Sequence, residues 1–402
     1  MLDARSPSGI SGGQWRVLVA ATLGWMLDGM DVMLYAFALP AVQKEFALSS
    51  PQAGGLASVT LLSSALGGTV FGVLADRYGR ARMLVYSILI YSLCTGLTAT
   101  AGSVAQLTLW RVLLGIGLGG EWSAGSVLVA ETWPAAQRGK AIGLMQSGWA
   151  VGYLLAAALA ALVLPRWGWR PLFAVGCLPA LLAVWVRWRV PEPTTFVAQA
   201  QRPRVRLDRR MARDIVVASA MCGCLLFAYW GLFTWVPAFL ASPVARGGAG
   251  LGVAKSFLWI APMQVGAFVG YALFGVLADR WGRRPVFIAF VLCATALVPI
   301  YGLLGQKPGV LLLLGPLVGF FGHGYFSVFG ALLAELFPTA VRATAQGLCY
   351  NAGRAVSALA PFILGMVADR RGIGSALALT AGFYILGAAL MLLLPETRAR
   401  EV

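Results

Sequence analysis

Twelve apolar runs, each long enough to cross a lipid bilayer as a helix, fill most of this 402-residue chain. Their approximate extents are 15–39, 53–75, 82–100, 104–130, 138–162, 170–187, 214–240, 255–278, 285–304, 310–334, 342–368 and 375–394. A crossing helix needs about 20 mostly apolar residues, and in lipid its backbone must satisfy its own hydrogen bonds. The runs therefore predict an all-α, multi-pass membrane protein. Composition agrees, with 59% hydrophobic and 11% charged residues against roughly 25% charged in a soluble domain. The first run is too long for the apolar core of a signal peptide and shows no cleavage site, so no cleavable leader is expected.

The net charge of +16 suggests a nucleic-acid partner, but its distribution argues against one. The arginines sit in short clusters between apolar runs, the densest being Arg187, Arg189, Arg202, Arg204, Arg206, Arg209, Arg210 and Arg213. Such clusters set topology, and they also suit anionic lipid headgroups. With the N-terminus inside, the inner segments hold 21 Lys/Arg and the outer loops eight, so both termini are expected in the cytoplasm. The six cysteines all fall in apolar segments and lack metal or redox spacing, so they read as packing residues.

Three motifs then repeat in order. Gly72-Val-Leu-Ala-Asp76-Arg77-Tyr-Gly79-Arg80 returns as Gly275-Val-Leu-Ala-Asp279-Arg280-Trp-Gly282-Arg283, a shift of 203. Glu131-Thr-Trp-Pro134 with Arg138 returns as Glu335-Leu-Phe-Pro338 with Arg342, and Pro191-Glu192 as Pro395-Glu396, both shifted by 204. A duplication follows: a six-helix bundle over 1–187, a basic linker over 188–213, and a second six-helix bundle over 214–402.

The chain resembles the major facilitator superfamily over essentially its whole length, on the GxLaDRxGRR motif between helices two and three and on Trp110-Arg111-Val-Leu-Leu-Gly115-Ile-Gly117 in the fourth span. The resemblance implies alternating access, with the halves rocking about a midplane site. It implies a gating role for the repeated charges Asp76, Arg77, Arg80, Glu131 and Arg138, and Asp279, Arg280, Arg283, Glu335 and Arg342. An acid at Asp76 or Asp279 is placed to cap a neighbouring helix N-terminus or to pair with arginines across the half's interface. The alternative is a plain charged turn that fixes topology.

A charge at the bilayer centre costs at least about 2.5–3.5 kcal/mol on insertion scales, so buried charges are candidates for function. Asp28 and Asp31 share one face of the first span, with Tyr35 a turn further on. Two close carboxylates in low dielectric do not both ionise easily, which suits proton loading; the alternative is a structural pair held by an arginine. From the helical rise, Asp31 and Arg111 lie at similar depth, so they are expected to pair as a strut or a proton switch. Glu121, in Gly119-Gly120-Glu121-Trp122, is a second proton site or an arginine's partner. Arg354 stands mid-span in Tyr350-Asn351-Ala-Gly353-Arg354. Its planar fork suits a carboxylate, as substrate anchor or as half of a buried ion pair. Asn351, the only asparagine, shares its face. His323, the only histidine, is a packing residue or a proton site. Gln264, Gln146 and Tyr325 are polar residues at plausible depth, whereas Trp230, Trp235 and Phe326 read as packing or lipid-facing.

Asp28-Gly-Met-Asp31, Gly-Gly-Glu121-Trp122 and Tyr-Asn351-Ala-Gly-Arg354 together look like the sialate/lactate-type organic-acid:proton symporters of that superfamily. The first-helix motif is also similar to aromatic-acid:proton symporters, which usually lack Gly-Glu-Trp in the fourth helix. Metabolite:proton symporters share Gly-Gly-Glu-Trp but differ in the first. The expectation is proton-coupled symport of a small organic anion, such as lactate, sialate or an aromatic acid, across a bacterial inner membrane. Protons and lipids are the other partners, the chain is expected to be a monomer, and no cofactor is expected. A drug/proton antiporter is the rival, disfavoured by Arg354; a transport-dead sensor is disfavoured by intact motifs in both halves. No metal-ligand cluster, nucleophile motif or phosphate-binding loop points to an enzyme.

Overall fold

The computed structural model describes residues 10–178, 180–181, 185, 208–337 and 342–397. The side chains of Asp76, Arg80, Glu131, Arg138, Asp279 and Arg342, most of the sixth expected span and most of the linker lie outside the described residues. All regular structure among the described residues is helical.

The first half contains α1 (Gly12–Phe46), α2 (Ser50–Tyr78), α3 (Arg80–Thr98), α4 (Val104–Thr132), α5 (Ala135–Trp167) and the short α6 (Trp169–Val175). The second contains α7 (Arg209–Ala241), α8 (Gly252–Trp281), α9 (Arg283–Leu303), α10 (Pro308–Gly324), α11 (Phe326–Leu336), α12 (Arg342–Ser357), α13 (Ala360–Arg371) and α14 (Ile373–Leu392). Nine segments among the described residues are long and apolar enough to cross a membrane, one of them, Ala345–Arg371, running through both α12 and α13.

Some boundaries differ from the hydropathy reading. Helix α7 begins at Arg209, inside the expected linker, because the Asp208 side chain caps it by accepting from the Met211 N–H at 2.6 Å. The tenth span is split between α10 and α11, and the eleventh between α12 and α13. The second break has a local cause. Pro361 has no N–H to return to the Ser357 carbonyl, and the turn closes instead through Leu359 N–H to Val356 O at 3.3 Å.

The repeat seen in sequence returns as packing. Helix α1 lies on α5 as α7 lies on α12, and α2 lies on α4 as α8 lies on α10. The two repeated turns have the same backbone: Gly79 has φ 110 and ψ 146, Gly282 φ 104 and ψ 152. Only glycine adopts that conformation without strain, so both motifs keep it at the joint between helices. Small residues bring the crossing helices close. Gly319 faces the Met263 carbonyl, and Gly152 faces that of Met26.

The two halves meet along two seams, α2 against α12 and α13, and α5 against α8. At the first, Gly54 lies on the Pro361 carbonyl, Gly365 on that of Ser50, and the Phe362 N–H donates to Ser58 Oγ at 3.3 Å. Trp235 Nε1 donates to Pro361 O at 3.0 Å.

Candidate functional site

The charges that lipid would penalise converge on the middle of the bundle. Asp28, Asp31, Arg111, Glu121, His323 and Arg354 are all at most 3% exposed.

Within the first half, Asp31 Oδ2 accepts from the Thr95 hydroxyl at 3.0 Å, and its other oxygen has no protein partner. Arg111 acts on Asp31 through space but does not bond to it: its Nε and Nη2 are unpaired, and its guanidinium lies over Tyr35 at 4.4 Å and Phe173 at 4.8 Å. The expected Asp31–Arg111 pair is therefore a proximity rather than a hydrogen-bonded bridge: Thr95 bonds to Asp31, and Arg111 packs on the two rings. Cation–π contact of this kind contributes about 2 kcal/mol or more when desolvated. Tyr35 is committed to that packing, with its hydroxyl donating to Ala53 O at 2.8 Å. Glu121 faces Tyr91, Asp28 and the backbone of Gly24, with the aspartates rather than an arginine as its charged neighbours.

Across the seam, Asp28 and Arg354 lie within electrostatic reach of each other. Neither Asp28 oxygen has a hydrogen-bond partner in the protein, nor does Arg354 Nε. The Arg354 guanidinium sits 5.8 Å from the Tyr350 ring centre. Asn351, one turn before Arg354, places its amide on Gly68 of α2 and so touches the other half. A cation and a carboxylate from different halves, within electrostatic reach but unbonded, leave the cation's fork open to a second carboxylate.

An aromatic cluster continues from this point through both halves. Trp25 and Trp149 lie 4.8 Å apart, Trp149 meets Trp230 at 5.8 Å, and Tyr229 packs on Phe233, Phe326 and His323. Trp230 is buried at this junction rather than lipid-facing. Both side-chain polar atoms of Gln264, Gln146 Oε1 and Trp230 Nε1 are buried without a protein partner. Tyr325 turns the other way: it stacks on Phe326 at 4.5 Å and donates to Leu225 O at 3.4 Å, within the second half.

At the end bearing the repeated turns, three motif residues of the second half join. Glu396 accepts the Arg283 and Arg284 backbone N–H groups, each at 3.0 Å, at the N-terminus of α9. Arg283 pairs with Glu335 at 3.2 Å, and the Thr397 hydroxyl donates to Glu335 at 2.6 Å. Among the described residues Glu396 caps this helix, while the side chain of Asp279, an expected capping acid, lies outside them. The repeated Pro-Glu was its only sequence signal. Arg77 and Arg280 are exposed, beside Tyr78 and Trp281 respectively. The aromatics and Thr95 carried no comparable signal, being ordinary residues for an apolar helix.

Two pseudo-equivalent helical bundles around a buried charged and aromatic centre have the architecture of a membrane transporter. The Major Facilitator Superfamily model matches residues 21–261 and 256–402, and the chain belongs to that family. It is 36% identical over 399 residues to a probable 4-methylmuconolactone transporter of Cupriavidus pinatubonensis, covering 96% of this chain and 91% of the relative. It is 32% identical over 403 residues to a cis,cis-muconate transport protein of Acinetobacter baylyi, covering 97% and 95%. A crystal structure of a D-xylose-proton symporter superposes with a TM-score of 0.78 at 21% identity, covering 97% of this chain and all of that one, which shows the shared fold.

Proposed function

We propose that this transporter carries a small organic acid anion together with a proton. The observation that carries the reading is Arg354 near Asp28 across the seam, unbonded. A carboxylate arriving at Arg354 competes with Asp28 for the only cation near it among the described residues. Asp28 then takes a proton rather than stay charged in low dielectric without a counter-charge. Anion and proton thus load together, and the neutralised centre can close and rock between faces. Asp31 and Glu121, buried beside Asp28, extend the proton site within the first half. Relatives named for muconate and methylmuconolactone support an unsaturated organic acid as cargo.

The arginine bias supports a bacterial inner-membrane orientation with both termini and the Glu335–Glu396 end in the cytoplasm. No observation favours antiport of a cationic drug, for which Arg354 is a repulsive neighbour.

The test is uptake of labelled cis,cis-muconate and benzoate into proteoliposomes, with and without an inward proton gradient. Accumulation that follows the gradient and collapses with a protonophore is expected. Acid uptake indifferent to the gradient would sink the symport reading.

A further inference from the structure

We propose that His323 is a specificity residue: its Nε2 accepts a hydrogen bond from a hydroxyl carried by the substrate on the part of the molecule remote from the carboxylate. This rests on the organic-acid reading above and names a subclass of cargo, hydroxylated planar acids.

The tautomer follows from one contact. His323 Nδ1 lies 3.2 Å from the Gly319 carbonyl oxygen, one turn back on α10. A carbonyl oxygen only accepts, so Nδ1 carries the hydrogen. The ring is fully buried, and the groups around it are Phe233 at 4.0 Å, Tyr229 at 5.2 Å and Tyr271 at 5.9 Å, none of them ionised. With no counter-charge against it among the described residues, the neutral imidazole is the stable form there. Its Nε2 is then an acceptor lone pair, buried and without a protein partner.

The position suits a reader of substrate. Tyr271 lies 5.9 Å from His323 and within electrostatic reach of Tyr350, whose ring centre is 5.8 Å from the Arg354 guanidinium. A succession of aromatic rings thus connects the anion anchor to the acceptor. A flat acid held by Arg354 at one end has its ring against these tyrosines and its far substituent near His323. A hydroxyl there satisfies Nε2, whereas a bare ring edge leaves a buried acceptor unpaired. Sites of this kind discriminate strongly against the analogue that lacks the donor.

The experiment is competition for uptake in proteoliposomes among benzoate, 3-hydroxybenzoate and 4-hydroxybenzoate, for the wild type, His323→Phe and His323→Gln. In the wild type at least one hydroxy acid is expected to compete about 10-fold or more better than benzoate. In His323→Phe that ratio falls to about one. His323→Gln, whose amide oxygen restores an acceptor, recovers part of it. A wild-type ratio of one, with the acids bound, overturns the hydroxyl reader and leaves the organic-acid reading standing. A preference that survives in His323→Phe also overturns it. Equal loss of gradient-driven uptake for all acids in His323→Phe, with the ratio kept, assigns His323 to proton transfer and overturns it too. If no acid competes with any other, the organic-acid reading itself falls, and this inference with it.

Discussion

Asp28 of the first half and Arg354 of the second stand within electrostatic reach across the domain seam, and no hydrogen bond joins them. A bonded pair would be a strut that substrate must break. An unbonded pair is a poised site, in which the arginine is shared between a resident carboxylate and an arriving one.

Arg354→Ala is therefore expected to weaken acid binding by about 10–100-fold, since hydrogen bonds to a charged group contribute roughly 1.5–3 kcal/mol. Arg354→Lys should recover only part, because an ammonium lacks the two-pronged fork. Binding measured by competition or calorimetry on the purified protein checks this, and unchanged affinity in the alanine variant removes the anchor.

Asp28→Asn removes the titrating carboxylate while keeping its shape. Exchange of labelled for unlabelled acid across the membrane should continue, whereas accumulation driven by a proton gradient should vanish. Gradient-driven accumulation that persists would shift the coupling site to Asp31 or Glu121.

Gly24 gives Glu121 its place. A Cβ on Gly24 would collide with the Glu121 carboxylate. Gly24→Ala should displace that group from Asp28 and reduce proton-driven uptake several-fold. Gly382→Ala is the control: nothing lies within 4 Å of its Cβ position, so uptake should be unaffected. Equal behaviour of the two variants would show that Glu121 needs no fixed position.

The α2–α13 seam closes through Gly54 on Pro361 and Gly365 on Ser50. A bulky side chain at Gly54 has no room while the seam is shut. Gly54→Trp should stop turnover and hold this face open. A cysteine introduced at Ser58, in a background without Cys177, should then react with a membrane-impermeant maleimide much faster than it does without Gly54→Trp. Equal labelling rates would mean that the seam is not a gate.

At the opposite end, Glu396→Gln should lower stability by about 1 kcal/mol, since it replaces a carboxylate that accepts two backbone N–H groups at a helix N-terminus. Glu335→Gln should act more broadly, because Arg283 and Thr397 both bond to it and the Arg283–Glu335 pair is mostly buried. Thermal melts in detergent compare the two, and a Glu335→Gln variant as stable as the wild type would contradict the joint role.

Membrane class, the all-helical fold and the repeated packing of the two halves were legible in the chain itself. Length and apolarity of a run are local properties, and lipid leaves the backbone almost no alternative to a helix. The glycine turns at Gly79 and Gly282 were legible for the same reason, since only one residue type tolerates their backbone. Buried charges were legible because lipid makes each one costly, so Asp28, Asp31, Arg111, Glu121, His323 and Arg354 stood out without any partner in view. Their partners were not. Asp31 and Arg111 share a depth, yet Thr95 takes one and the rings of Tyr35 and Phe173 take the other. Asp28 meets Arg354 only because α1 and α12 come from different halves that close on each other. The acceptor at His323 depends on a carbonyl one turn away and on three rings from α7 and α8. The sequence by itself determined which residues must be special, through the local cost of charge in lipid. Only the tertiary structure decided what each one faces, because pairing across helices is set by packing between segments tens to hundreds of residues apart.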